Sequence, residues 1–120
     1  MSAYIVGMVT PVPKRHLAAY RRLSRMFGKV WRAHGAIEYH ECIGDDVSWG
    51  KRTSFPRSVK LQAREVVCLA WIVYRSRQHR DRVNAKAMKD PRVAPYMTTK
   101  KLPFDTKRLY FGGFKRFVAL

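Results

Sequence analysis

Glu38, His40 and Cys42 recur at every second position, and in a strand that period sets all three side chains on one face, roughly 6–7 Å apart. All three are metal-ligand types, and Cys68 would approach them if its strand were a neighbour. No CxxC or HExxH pattern accompanies them, so the plainer reading is a polar patch, and no metal is expected. Tyr39 and Glu41 fall on the opposite face, with Ile37 and Ile43. Tyr39, Glu41, His40, Trp71 and Tyr110, with Tyr4 beside them, would line a ligand cavity between sheet and helices or between subunits. His40, or His34 at the end of a helix, supplies the candidate base, since histidine alone has an ordinary pKa near working pH. Against this stands a structural reading in which the aromatics are core and the histidines are partly exposed. Asp45, Asp46 and Asp105 sit beside turn residues and most simply fix turns. No cofactor is called for, and no reaction is named by these residues.

A second constellation is electrostatic. The chain holds 25 Lys and Arg against 8 Asp and Glu, a formal charge of +17. A small domain carries a net charge of about 2–8 in magnitude, so the excess costs self-repulsion and attracts polyanions. Lys14, Arg15, Arg21, Arg22, Arg25, Lys29 and Arg32 fall in one segment that holds no acid, and Lys51, Arg52, Arg57 and Lys60 follow in a polar connection. Contacts from such residues to phosphates would give strongly salt-dependent, sequence-blind binding. No reading helix, stacking motif or zinc finger accompanies them.

These residues need elements to position them. Glu65–Tyr74 (EVVCLAWIVY) is an unbroken apolar run, too short for a bilayer and rich in strand-forming types. It predicts a central strand covered on both faces. Ala3–Thr10 predicts a first strand closed by Pro11-Val12-Pro13, and Lys14–His34 an amphipathic helix with Gly35 just past its end. Ala36–Asp45 alternates as a second strand. Residues 46–64 form a long arm, expected to lie across the surface or a partner subunit. Ser76 caps a second helix, Arg77–Lys89, and Lys107–Leu120 predicts a last strand bent at Gly112-Gly113. At 120 residues this is one domain. The order βαββαβ predicts an α+β, ferredoxin-like fold, a four-stranded antiparallel sheet with two helices on one face. The other face would stay apolar and open, and a second copy packed sheet to sheet would cover it. Cys42 and Cys68 are expected as reduced thiols. No signal peptide or transmembrane stretch is read, which makes the cytoplasm the default location.

The segments VTPVPK, HGAIEYHECIGDDV, GKRTSFPRSVK, EVVCLAWIVYRSRQHRD, VNAKAMKDPR and LPFDTKRLYFGGF together resemble the YbaA-like family of small bacterial proteins of unknown function. The likeness spans nearly the whole chain and is most specific in ECIGDD, SFPRSVK and PFD…GGF. It implies the dimeric α+β-barrel fold, related to small monooxygenase and YciI-like domains, and it implies no catalytic residues. The chain departs from the family in charge, with basic side chains such as Arg15, Arg25, Arg64, Arg75, Arg82, Lys101 and Arg116 where acids would be unremarkable. A positively supercharged, engineered version of such a protein is one reading of that departure, and a natural basic homologue is the other.

Overall fold

A computed structural model describes residues 3–98 and 100–120. The elements run β1 (Tyr4–Pro13), one 3-10 turn (Lys14–His16), α1 (Leu17–Ala33), β2 (Glu38–Ile43), α2 (Phe55–Ser58), β3 (Glu65–Tyr74), α3 (Arg77–Lys89), α4 (Ala94–Thr98) and β4 (Tyr110–Lys115). The protein is α+β, with one antiparallel sheet in the order β2-β3-β1-β4. The two apolar strands take the centre, in register from Tyr4 opposite Tyr74 to Pro13 opposite Glu65. Every residue of these two strands but Leu69 is buried or half-buried, which is why neither alternates.

β1 runs three residues past the expected end at Thr10, through Pro11 and Pro13. Val12 and the even-numbered residues of β1 hydrogen-bond toward β3, and the odd-numbered ones face β4. Since β4 begins with Tyr110 opposite Val9, the two prolines lack N–H groups only where no partner strand exists. The expected helix from Lys14 starts as a 3-10 turn, and Gly35, at φ +117°, ends it in the left-handed region. Ser76 caps α3 by accepting from the His79 N–H.

The arm carries a turn of helix within it: Ser54 caps the single turn α2, which holds Pro56 in its first turn. One further expectation is corrected. The last strand is confined to Tyr110–Lys115, not the whole of residues 107–120. Before it, Asp105 accepts from the Lys107 N–H, and Arg108 turns away to fork the carboxylate of Glu65.

α1 and α3 pack on the same side of the sheet. There Tyr4, Val6 and Tyr74 meet Val30 and Trp31 of α1, Val83 and Ala87 of α3, and Val93. Asn84 accepts from both Trp31 Nε1–H and the Tyr74 hydroxyl at 3.0 Å, so that core leaves neither donor unpaired. On the other side of the sheet Val59 and Leu61 of the arm cover Val9 and Val67. Beyond the arm that side stays open: Leu69, Tyr110 and Phe114 are exposed, with Phe114 lying over Gly7 and Gly112. No helix among the described residues is long and apolar enough to cross a membrane.

Candidate functional site

Between α1 and the edge strand β2 lies an open cleft of about 1260 Å³. Tyr20, Ser24 and Gly28 follow at four-residue steps, so they form one ridge of α1, and that ridge faces Tyr39 and Glu41 of β2. The Glu41 carboxylate accepts from the Tyr20 hydroxyl at 2.9 Å and from the Ser24 hydroxyl at 2.8 Å. Ser24 and Tyr39 share a third bond of 3.1 Å. Gly28 makes room for the Tyr39 ring. The adjacent ridge carries Arg21, Arg25, Lys29 and Arg32, which line the same cleft and are exposed.

Burial raises the Glu41 pKa above its ordinary value, and the two hydroxyl donors oppose that rise only in part. No lysine or arginine among the described residues forms an ion pair with it. Burial first, then the charge of Glu41, lifts Tyr20 well above the ordinary phenol range. Burial pushes Tyr39 up to about 12, and it pushes the Cys68 thiol up to about 12 with Glu41 adding to the effect. The phenols and the thiol therefore stay neutral. Glu41 is the hydrogen-bond acceptor of the cleft floor.

The sheet divides the residues singled out for a ligand cavity. Tyr39 and Glu41 face α1. His40 touches the cleft from the strand edge, but its ring stacks on Trp71 at 4.7 Å on the opposite side of the sheet. Its Nε2 meets Glu38 at 2.8 Å. Tyr110 is also on that side, donating to the Ser58 hydroxyl at 2.8 Å. His34 is occupied elsewhere, 3.0 Å from the Asp90 carboxylate that Arg92 also grips. Among the described residues no three His, Cys, Asp or Glu side chains gather as a metal cluster, so Glu38, His40 and Cys42 do not converge. Cys42 and Cys68 are both free thiols, the first exposed and the second buried.

The basic residues are divided in the same way. Lys14, Arg15 and Arg22 are exposed on the α1 segment beside the four that line the cleft. Lys51, Arg52, Arg57 and Lys60 are exposed on the arm, which packs on the far side of the sheet, so the two groups are not one surface. Arg57 donates to the carbonyls of Trp49 and Gly50 at 3.1 and 2.9 Å and so fastens its own loop. Arg32 likewise donates to the carbonyls of Ala36 and Ile37.

Ser24 and Tyr20 are the members of this site that sequence reasoning passed over. Their signal was the four-residue step Tyr20, Ser24, Gly28 beside a basic ridge.

The protein named Uncharacterized protein YbaA in Escherichia coli (strain K12) is 36% identical over 115 residues, covering 96% of this chain and 97% of its own. Its namesake in Shigella flexneri matches to the same extent. Among solved structures, the de novo designed protein Foldit4 aligns over 98% of this chain and 99% of its own, at 10% identity and a TM-score of 0.44, a likeness too loose to build on. The family model described as protein of unknown function (DUF1428) matches residues 3–106, and the chain belongs to that family.

Proposed function

We propose that this protein is a homodimeric, cationic binding protein of the cytoplasm, whose α1 faces associate with polyanions such as nucleic acid or acidic protein. The carrying observation is the row Arg21, Arg25, Lys29 and Arg32, exposed along one wall of the cleft and without a carboxylate ion pair among the described residues. The row spans roughly 16 Å along the helix axis. The supercharged surface, engineered in one reading and selected in the other, acts the same way toward an anion. Strand order β2-β3-β1-β4 is 4-1-3-2 when taken from the other edge, which supports the ferredoxin-like reading. Exposed Leu69, Tyr110 and Phe114 support closure of the open side by a second copy, as a dimeric α+β barrel.

The test is binding of random single-stranded DNA across a salt series, alongside sedimentation. Affinity should collapse between low and moderate salt, with a log–log slope that shrinks by about 0.7 for each phosphate contact removed. Replacing Arg21, Arg25 and Lys29 by Gln should flatten it. A salt-independent affinity rejects the polyanion reading, and a monomer in dilute buffer rejects the dimer.

A second reading is favoured by the cleft and by the hydroxyl–carboxylate cluster at its floor. In it the protein binds a small molecule there, or acts on one without a cofactor. Replacing Glu41 should then abolish a ligand-induced shift.

A further inference from the structure

The floor and the rim of the α1–β2 cleft ask for opposite things. At the floor, Tyr20 and Ser24 already spend their hydroxyl protons on Glu41, and Tyr39 is engaged with Ser24. An ionised carboxylate has about four acceptor sites. Two are used, by Tyr20 and Ser24, and Glu41 itself lines the cleft. The floor therefore takes a hydrogen-bond donor. The rim offers the reverse. Arg21 and Arg25 directly follow Tyr20 and Ser24 in the chain, so their cations stand one ridge around the helix from the floor donors. Leu17, Ile37 and Ile43 give apolar lining between.

We infer that this cleft takes a small organic acid whose anionic group meets the α1 cations while its own hydroxyl or N–H is accepted by Glu41. The inference rests on the second reading above and narrows it to a class of ligand. Polyanions satisfy the rim alone. A neutral alcohol satisfies the floor alone. Only a molecule with both groups uses the whole site, and a volume of about 1260 Å³ accommodates one or two rings with their substituents.

The experiment is an NMR titration of backbone amides, without nucleic acid, using 4-hydroxybenzoate, benzoate and phenol. Saturable shifts along α1 and β2 are expected with 4-hydroxybenzoate, at an affinity about tenfold or more above either other probe, the worth of one hydrogen bond to a charged group. Glu41→Gln should erase the advantage of the hydroxyl, and Arg25→Gln should weaken both carboxylates alike. Should Glu41→Gln fail to fold, Ser24→Ala serves, because it loosens the carboxylate and should lower the hydroxyl advantage. Equal affinities of all three probes at the cleft would overturn the class while leaving the small-molecule reading in place. Absence of saturable shifts there with any of the three would overturn both.

Discussion

The ring of Tyr39 packs over Gly28, so close that a Cβ on that glycine would stand 2.7 Å from the ring carbon Cδ1. Alanine is the better helix former by about 1 kcal/mol, yet the clash falls on the root of the ring, which has no free end to swing away. Gly28→Ala is expected to lose about 1 kcal/mol of stability in urea unfolding and to part Tyr39 from Ser24. A gain in stability would show that the ring yields freely.

Glu41 is held in a site that disfavours its charge. Its folded pKa is raised, so the native state binds more protons than the unfolded chain above the ordinary 4.5. Its contribution to stability therefore falls as pH rises from 4.5 through the raised value. Glu41→Gln should raise stability near neutral pH, by up to about 1 kcal/mol, and should remove this part of the pH dependence. Urea midpoints for both proteins at acid and neutral pH make the check, and a clearly less stable variant at neutral pH would contradict it.

Arg108 grips Glu65 with two bonds of 2.8 and 2.6 Å and also holds Asp105 at 2.9 Å, tying the start of β3 to the segment that leads into β4. The Glu65 side chain is only 7% exposed, so removing its partner leaves a buried charge. Arg108→Ala should cost about 3 kcal/mol. Hydrogen bonds from Arg108 hold the Glu65 carboxyl below its ordinary 4.5. That contribution is complete above 4.5 and is lost as pH falls through the folded value. Acid unfolding followed by circular dichroism should start at higher pH in Arg108→Ala than in the parent.

His79 is 5% exposed, and its Nδ1 accepts from the Arg75 N–H at 2.9 Å, a bond that only the neutral ring can make. Burial, with Arg75 and Arg82 nearby, lowers its pKa from 6.5. Since the unfolded chain takes up the proton first, stability declines as pH drops below 6.5 toward the folded value. Ring resonances of His79 should remain those of the neutral imidazole as pH falls below 6.5. His79→Asn, which retains an acceptor, should flatten the midpoint over that range.

β3 was legible because an unbroken apolar run admits few other readings, and its observed bounds are those of the run, Glu65–Tyr74. The alternation of β2 likewise separated Tyr39 and Glu41 from His40. What no local pattern could supply was the pairing of His40 with Trp71 across the ladder, which sends that pair to the opposite side of the sheet. Ser24 was hidden for a related reason: one hydroxyl among arginines looks like solvated surface until a strand is laid against it. The late start of the last strand goes with Arg108 reaching a carboxylate 43 residues away in sequence.

The prolines of β1 have a consequence for its buried backbone. Where β4 stops, Val9, Thr10, Pro11 and Val12 are packed away from solvent, and an N–H aimed at the missing strand would have neither a partner nor water. Pro11 carries no such hydrogen, so the strand outruns its neighbour without stranding a donor at that position.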